Sequence, residues 1–457
     1  MLESIRSIGN YVIENEGLNE EGALVQDAKL KNVKKVICIV FEQRDDNVIY
    51  DDVHLEDYDV AKSRKYLYRT FQHGRYDVTP TTRIMSPDKV KQRTFQWFEK
   101  YSKEYSNDLI QSLNREIHNK GDEIFNSVSK KYNSLDKKRN LILTIKIRRE
   151  GKEEYLGDFD VFKDVFKKEA LKKFYFKHDV ESKGIGVCCL CKKKDEVLGF
   201  AFPFSFHTFD KKGFAPDFLR EDAWKRLPIC MDCAISLAAG KEFLDNYLLK
   251  RFYVFSFYVI PNFVFEIQAD IIDDIKDFDK RKYSESLLGI EDDILDLIKE
   301  RKDVLKLIFM FIKPKQKDFF DIVQYVEDVP PSWIKKLYDT LKEIERLPLF
   351  KEEYLKKMFG EKWAGDSKEL FKGDATIGGI VRTFFPSSKY TGIYDKYFMD
   401  IIGDILAQRP IDKDLLVKAF MREIRNRHLK ERIWDEKVYS LKSLMLLLFL
   451  ERLGLVR

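Results

Sequence analysis

Four of the six cysteines in this chain form two pairs whose spacing is typical of a metal site. Cys188 and Cys191 form a C-x-x-C knuckle in "GVCCLC", and Cys230 and Cys233 form another in "LPICMDCA", with 38 residues between the pairs. Each knuckle turns two thiolates toward one point, and zinc takes four such ligands in a tetrahedral arrangement. Because all four ligands are thiolates, no position stays open for water, so we expect a structural Zn²⁺ and not a hydrolytic one.

Two disulfides or a redox-active C-x-x-C would use the same residues. Neither suits a chain whose first residues, "MLESIRSIGNYVIENEG", show no basic-then-apolar signal pattern, so we expect a cytoplasmic, reducing location. The long spacer does not count against zinc, because the entropic cost of closing a loop grows slowly with its length. Cys189 is then a spare thiol, and Cys38, in the apolar run "VICIV", is predicted to be buried in a core.

A second candidate site lies in an irregular stretch between residues 65 and 87, where basic side chains alternate with aromatic ones. The basic residues are Lys65, Arg69, His73, Arg75 and Arg83. Basic groups on a loop suit contacts with a nucleic-acid backbone or groove. Arg75 follows Gly74, and a glycine lets the backbone approach a groove while an arginine binds a guanine edge with two hydrogen bonds. The alternative is a solvated loop with packed aromatic rings.

A third candidate site is a helix predicted over residues 413–434. Its basic residues recur at spacings of four, three and seven, which places them on one side of the helix; they are Lys418, Arg422, Arg425 and Arg432. Such a face can follow a phosphate backbone, and a merely solvated face is the alternative. Apolar stripes on this helix and on the predicted helices 396–409 and 437–455 indicate a helical bundle.

Catalytic motifs are scarce: the sequence contains no G-x-x-x-x-G-K-[ST], H-E-x-x-H or G-x-S-x-G pattern. His178 and Asp179 form an HD dipeptide like that of metal-dependent phosphohydrolases, but the chain has only six histidines to complete such a site. An acidic cluster could bind magnesium or be a solvated helix face; it comprises Asp270, Asp273, Asp274 and Asp277. We therefore predict that the chain is not an enzyme, with a nuclease using His178 and Asp179 as the alternative.

Composition indicates a globular protein with no overall basic field. The 457 residues suffice for two or three domains, and 44% of them are apolar. Charged residues make up 35% of the chain, yet the net charge is only +5, so any nucleic-acid surface must come from local segregation of charge. The apolar runs are too short to span a membrane, and we expect no membrane partner.

The order of apolar patterns predicts an α+β fold with an inserted four-cysteine module and a C-terminal helical bundle. The predicted domains are an N-terminal α+β nucleic-acid-recognition domain, the zinc module, a mixed β/α continuation of the core and the bundle, over residues 1–183, 184–249, 250–330 and 331–457. Three finer expectations are one long helix from Asp88 to about Lys130, a hairpin turned by "KPKQK", and a loop at Gly378 and Gly379.

Several segments, taken together and in order, resemble a known family. They are the double knuckle, "KYLYRTFQHGRYDVTPTTRI" before it, "KGFAPDFLREDAWKRLPICMDCAISLAAGKEF" around its second half, and "GDATIGGIVRTFFP" after it. The combination looks like the CRISPR-associated large subunit of type I-B Cascade complexes. That resemblance implies a non-catalytic subunit that recognises the short motif flanking a target (the PAM) on duplex DNA and starts strand separation.

The resemblance also implies partners. They are guide RNA, target double-stranded DNA, the Cascade backbone subunits, a small subunit and a recruited helicase-nuclease. In this family the end of the large subunit resembles the small subunit, and Met358 is a candidate internal start for such a product. A zinc-stapled scaffold without DNA contact is the alternative of another class.

Overall fold

The structure is a computed structural model that describes most of the chain. The described residues are 1–26, 33–44, 47–70, 77–135, 141–177, 179–204, 206, 219–252, 255–263, 267, 272, 305–314, 320–360, 377–386 and 393–456. They form two compact units. The first comprises Arg6–Glu242 with Leu2, and the second comprises Phe243–Arg457 with Met1 and Glu3–Ile5. Helices and sheets occur together, so the predicted α+β class is confirmed.

A five-stranded sheet forms the centre of the first unit. Its strands are β1 (Lys35–Arg44), β2 (Asn47–Asp57), β3 (Thr82–Ile84), β4 (Leu141–Arg149) and β5 (Lys152–Tyr155). The order is β2-β1-β4-β3, with β5 paired to β4; β1 and β4 run parallel, and the other pairs are antiparallel. The apolar run "KVICIVFE" forms β1, which is buried from Val36 to Phe41, as expected for a central strand.

Eight helices of the described residues belong mainly to this unit. They are α1 (Leu2–Asn15), α2 (Glu20–Leu24), α3 (Ser63–Tyr66), α4 (Gln96–Glu104), α5 (Asp108–Asn133), α6 (Asp160–Lys172), α7 (Ala223–Arg226) and α8 (Met231–Phe243). The single helix predicted from residue 88 to 130 is wrong. Helix α4 ends where the chain becomes extended at Tyr105, and α5 begins after Asn107. The Asn107 side chain accepts hydrogen bonds from the backbone N–H groups of Leu109 and Ile110, which caps α5.

The segment around the cysteines forms two small sheets within the first unit. Strands β6 (Phe176–Lys177) and β7 (Val180–Glu181) pair with each other. Strands β8 (Lys183–Val187), β9 (Lys194–Leu198) and β10 (Ile229–Cys230) form an antiparallel sheet in the order β10-β9-β8. Because these strands are two to five residues long, backbone pairing alone provides little stability, and the module needs a further restraint.

Helices α1 and α8 approach each other closely at Gly9. A Cβ atom built on Gly9 would lie 1.8 Å from the carbonyl oxygen of Ser236 and 2.9 Å from the backbone nitrogen of Gly240. No side chain fits between two backbones at that separation, so glycine permits the contact. Helix α8 also begins at the second cysteine knuckle, and this contact therefore connects the cysteine module to α1.

Gly9→Ala is expected to destabilise the first unit by about 1–3 kcal/mol, because the added methyl group forces α1 away from α8. Gly121→Ala is the matched control: Gly121 lies in α5, and its added Cβ would meet nothing closer than Phe95 at 3.6 Å. The control should be neutral or stabilising by up to about 1 kcal/mol, since alanine favours a helix. Urea denaturation of both variants measures the difference, and equal stabilities would refute the close approach.

A four-stranded antiparallel sheet begins the second unit. Its strands are β11 (Leu249–Phe252), β12 (Phe255–Phe263), β13 (Leu305–Pro314) and β14 (Phe320–Val329), in that order. The pairing of β13 with β14 agrees with the predicted hairpin, although residues 315–319 of its turn lie outside the described residues. Pro261 lies inside β12, beyond the stretch that pairs with β11, and a residue without an N–H is tolerated next to an unpaired edge.

Six helices of the described residues complete the second unit. They are α9 (Pro331–Glu345), α10 (Glu352–Phe359), α11 (Ile377–Phe384), α12 (Ile393–Leu406), α13 (Lys413–His428) and α14 (Ile433–Arg452). The predicted C-terminal helical region is confirmed, and its core includes Phe384 against Phe420, with ring centroids 4.4 Å apart. The loop predicted at Gly378 and Gly379 is wrong, since both residues are buried within α11. Within the described ranges, no helix combines the length and apolar character needed to cross a membrane.

Candidate metal centre and nucleic-acid surfaces

The four cysteines of the two knuckles come together at one point. The sulfur atoms of Cys188, Cys191, Cys230 and Cys233 all lie within 4.8 Å of one another. The Cys191 and Cys230 sulfurs are 3.6 Å apart, close to the spacing of about 3.8 Å that tetrahedral Zn–S bonds of about 2.3 Å produce. A disulfide would need about 2.05 Å, and all four cysteines are free. The donor set therefore fits a metal ion.

Backbone hydrogen bonds shape each knuckle. The first closes the β8–β9 hairpin: Cys188 donates from its N–H to the Lys193 carbonyl at 2.9 Å, and Lys192 donates to the Cys188 carbonyl at 3.0 Å. The second begins at the last residue of β10 and continues into the first turn of α8. The Cys189 N–H donates to the Pro228 carbonyl at 2.7 Å, which joins the two knuckles.

The electrostatic environment of the thiols also fits a bound cation. Burial opposes ionisation of Cys188, but hydrogen bonds from backbone N–H groups outweigh burial and lower its pKa to about 6. Burial raises the pKa of Cys230 to about 11, and burial together with the neighbouring Cys230 thiol raises the pKa of Cys233. The protein environment thus favours one thiolate and opposes ionisation of these two neighbours. A divalent metal ion supplies the positive charge that would let all four cysteines ionise.

The basic residues predicted near the N-terminus occupy different environments. Lys65 is half-exposed and its ammonium lies 3.2 Å from the Asp158 carboxylate. Arg83 lies partly buried on β3, and its Nε atom has no hydrogen-bond partner among the described residues. His73 and Arg75 lie outside the described residues, so their predicted contacts with DNA stay predictions.

Arg69 is buried, with 5% of its surface exposed. Its guanidinium donates to the carbonyl of Leu24, and its own carbonyl accepts from the N–H of Val78 at 3.1 Å. Burial lowers the pKa of Arg69 to about 10, although the carboxylate of Glu242 acts in the opposite direction. Its nucleic-acid contact stays a prediction, and one that requires this guanidinium to leave the interior.

The C-terminal basic residues do not form the continuous face that the sequence predicts. Helix α13 ends at His428, so Arg432 lies beyond it and immediately before α14. Glu431 is in the left-handed conformation at φ +54°, and the N–H of Arg432 donates to the carbonyl of Arg427, which is how helices commonly end.

Three of the predicted residues do share α13, and two of them face solvent. Lys418 and Arg425 are exposed, and neither has an ion-pair partner in the part of the chain that the structure describes. Arg422 is engaged within the protein, because it donates to the Phe384 carbonyl at 3.0 Å and to the Glu423 carboxylate at 3.1 Å. The candidate phosphate surface on α13 therefore consists of Lys418 and Arg425.

The catalytic alternatives gain no support from the described residues. His178 and the acidic cluster at residues 270–277 lie outside them. Asp179 is exposed in the turn between β6 and β7 at φ +60°, and it belongs to neither group of described residues whose geometry could hold a metal.

A second group of side chains that could bind a metal is not apparent from the spacing of residues in the sequence. The ligand atoms of Cys38, His54 and Glu56 lie within 4.8 Å of one another on the central sheet of the first unit. Cys38 is buried, as predicted, and burial raises the pKa of its thiol. Burial would also raise the pKa of Glu56, but hydrogen bonds from Lys146, Tyr155 and His54 lower it to about 2. Only the strand register brings these residues together.

The fold and the cysteine cluster define a class of α+β protein in which a four-cysteine module is inserted into a mixed core. Three parts of the chain match the domains of one family, described as CRISPR-associated protein TM1802 (cas_TM1802): the N-terminal domain over residues 1–168, the central domain over residues 185–329 and the C-terminal domain over residues 379–457. This chain belongs to that CRISPR-associated family. A search among curated proteins found no match.

Proposed function

We propose that this chain is the non-catalytic large subunit of a type I-B Cascade complex, which recognises the PAM on duplex DNA and promotes strand separation. The observation that carries the proposal is the match to all three domains of a CRISPR-associated family, in order along the chain. In RNA-guided complexes base pairing with the guide reads the target sequence, and a protein reads only a short flanking motif. A large multidomain subunit with local basic surfaces suits that task.

Hydrogen bonds hold the residues on either side of residues 71–76 in place, and this favours a recognition role for the segment. Before it, the Gln26 side chain accepts a hydrogen bond from the Thr70 N–H at 3.0 Å. After it, buried Asp77 accepts from Arg93 at 3.1 Å, and the Trp97 indole donates to the Val78 carbonyl at 3.1 Å. Fixed flanking residues reduce the entropy lost when a segment binds. His73 and Arg75 belong to this segment, and we assign PAM contact to it.

We propose Zn²⁺ as the ion held by the four cysteine thiolates. With four sulfur ligands the ion is coordinatively saturated, so it would staple the short strands of its module to α8 and activate no water. It would contribute to folding and leave recognition to the protein's own side chains.

Family membership and the basic residues support the partners that we propose. They are guide RNA, target double-stranded DNA, the Cascade backbone subunits, a small subunit and a helicase-nuclease. The chain itself would supply duplex contacts through residues 71–76 and phosphate contacts through Lys418 and Arg425. Recruitment of the nuclease would place the cutting chemistry in another protein.

Arg75→Ala in the assembled complex is expected to weaken binding to targets with the preferred flank by about 5- to 150-fold, the loss of one bidentate base contact worth about 1–3 kcal/mol. Targets with other flanks should lose little, because they never gained that contact. The measurement is a titration of duplexes with varied flanks at one salt concentration. Arg115→Ala, an exposed residue of α5, is the matched control and should leave every affinity unchanged.

The same duplexes separate the proposal from its alternatives. Wild-type affinity and flank preference in Arg75→Ala would remove this residue from recognition. Flank-independent, salt-insensitive binding by the wild-type complex would favour a scaffold. Cleavage by the purified chain with magnesium or manganese, lost in His178→Ala, would favour the nuclease.

A further inference from the structure

We propose that Cys38, His54 and Glu56 form a second cation site in this protein, suited to Zn²⁺ and separate from the four-cysteine cluster. The site lies on one face of the five-stranded sheet of the first unit. It is independent of the proposed role in DNA recognition, and it would bind a divalent transition-metal ion through one sulfur, one nitrogen and one or two carboxylate oxygens.

The strand register creates the site. Cys38 on β1 lies directly opposite His54 on β2, and Glu56 follows two residues further along the same strand. Directly opposite residues, and residues two apart on one strand, point to the same face of a sheet. The three side chains therefore converge because of backbone pairing, and their ligand atoms lie within 4.8 Å of one another.

The orientation of the His54 ring favours a shared ion. Its Nε2 atom lies 3.1 Å from a Glu56 carboxylate oxygen and 3.7 Å from an oxygen of Glu153 on β5. One ring nitrogen thus faces two carboxylates and forms a hydrogen bond with Glu56, and a cation bound between these groups would take the place of that hydrogen bond. Glu153 lies beside this group of three and is held by the Lys146 ammonium at 3.1 Å. Thiolate, imidazole and carboxylate are the three ligand types that zinc accepts in proteins.

The surrounding groups orient the ligands and leave a route for an ion. The Tyr155 hydroxyl donates to the Glu56 carboxylate, as do the groups that orient ligands around known metal sites. The side chains of His54 and Glu56 are 30% and 22% exposed, whereas Cys38 is fully buried. An ion can therefore enter from the His54 side and reach a thiol that bulk solvent does not.

With His54 neutral, the charged side chains around the site are one positive charge short. Glu56 and Glu153 carry two negative charges, and the ammonium of Lys146 contacts both of them. Arg148 also binds Glu153, but its charge is balanced by Asp51, whose carboxylate lies 2.6 Å away. The net charge of these five groups is therefore −1.

Binding of one divalent ion removes that deficit. The ion adds two positive charges, and Cys38 loses its thiol proton to solvent when its sulfur becomes a ligand, so the total becomes zero. Lys146 would then remain with Glu153, while Glu56 turns toward the ion. In the absence of metal, Lys146 supplies part of the same positive charge, so Lys146 and the ion compete for these carboxylates.

Elemental analysis of the full-length protein, purified with zinc and dialysed, is the direct test. Two zinc ions per wild-type chain are expected, with one in Cys38→Ser and one in His54→Gln. Cys189→Ser is the matched control, because Cys189 belongs to neither group, and it should retain two. One zinc per wild-type chain, unchanged in Cys38→Ser, would overturn the proposal and leave the cluster as an ion-pair network.

Cobalt substitution and Lys146→Met provide a second readout that does not depend on how well Cys38→Ser folds. Cobalt bound at this site has one sulfur ligand, so its charge-transfer absorbance should be a fraction of that of the four-cysteine site and should vanish in His54→Gln. Lys146→Met removes the competing ammonium and should raise the affinity for the second ion at least several-fold. An unchanged or lower affinity in Lys146→Met would contradict the competition that the charges imply.

Discussion

Cys230→Ser is expected to release the zinc and unfold the cysteine module, with a loss of several kcal/mol in the stability of the first unit. The expected effect is large because structural zinc binding is worth about 10–16 kcal/mol in isolated zinc-finger peptides. Pairing between the described strands of the module adds little stability, because β10 has two residues, and β8 and β9 have five each. The loss of stability should extend to α1, since α8 begins at the second knuckle and contacts α1 at Gly9.

Calorimetry together with zinc analysis measures this effect. Cys189→Ser is the matched control, because it removes a neighbouring thiol that lies outside the cluster, and it should unfold at the wild-type temperature. A chelator should reproduce the Cys230→Ser result in the wild-type protein. A Cys230→Ser protein with unchanged stability, or wild-type protein from which zinc is removed without loss of stability, would show that the cluster is not stapled by metal.

The double variant Lys418→Ala/Arg425→Ala is expected to weaken binding to every target alike and to flatten the salt dependence by about two units of slope. Each phosphate contact releases about 0.9 counterion from duplex DNA, so the loss of two contacts changes the slope by about 1.8. Both side chains are exposed on α13, and neither is held by an ion pair among the described residues. Flank preference should be unchanged, because phosphates carry no sequence information.

Arg422→Ala provides the contrast on the same helix. Arg422 donates to Phe384 and Glu423, so its removal should lower protein stability and leave the salt slope at the wild-type value. Binding titrations at several salt concentrations compare the two variants. An unchanged slope in the double variant would mean that this helix face is only solvated.

The metal cluster is the part of the site that the sequence predicts best. Each C-x-x-C knuckle sets its two thiolates at a fixed separation, and this holds whatever the length of the chain between the two knuckles. The Cys38 group carries no such signal. Residues 38, 54 and 56 become neighbours only through the pairing of β1 with β2, and a shift by one residue would send His54 to the other face.

The errors in the helix predictions have a common cause. Tyr105 continues an apolar spacing and Arg432 a basic one, so the sequence places both inside helices. The boundary near Tyr105 arises because Asn107 caps α5, and the one near Arg432 because Glu431 adopts a left-handed conformation. Gly378 and Gly379 suggest a break from their low helix propensity, but burial within α11 overrides it. Capping residues and tertiary packing determine where these helices begin and end, and the spacing of apolar or basic residues reveals neither.

The most direct test of the central claim compares target binding by a Cascade complex assembled with and without this subunit. Without it, the complex should still bind a single-stranded target through guide pairing but should fail to open a duplex. Adding the subunit should restore duplex binding only for targets with certain flanks, without cleavage of either strand. Equal duplex binding in its absence, or restored binding that ignores the flank, would contradict the assignment of this chain as the subunit that recognises the PAM.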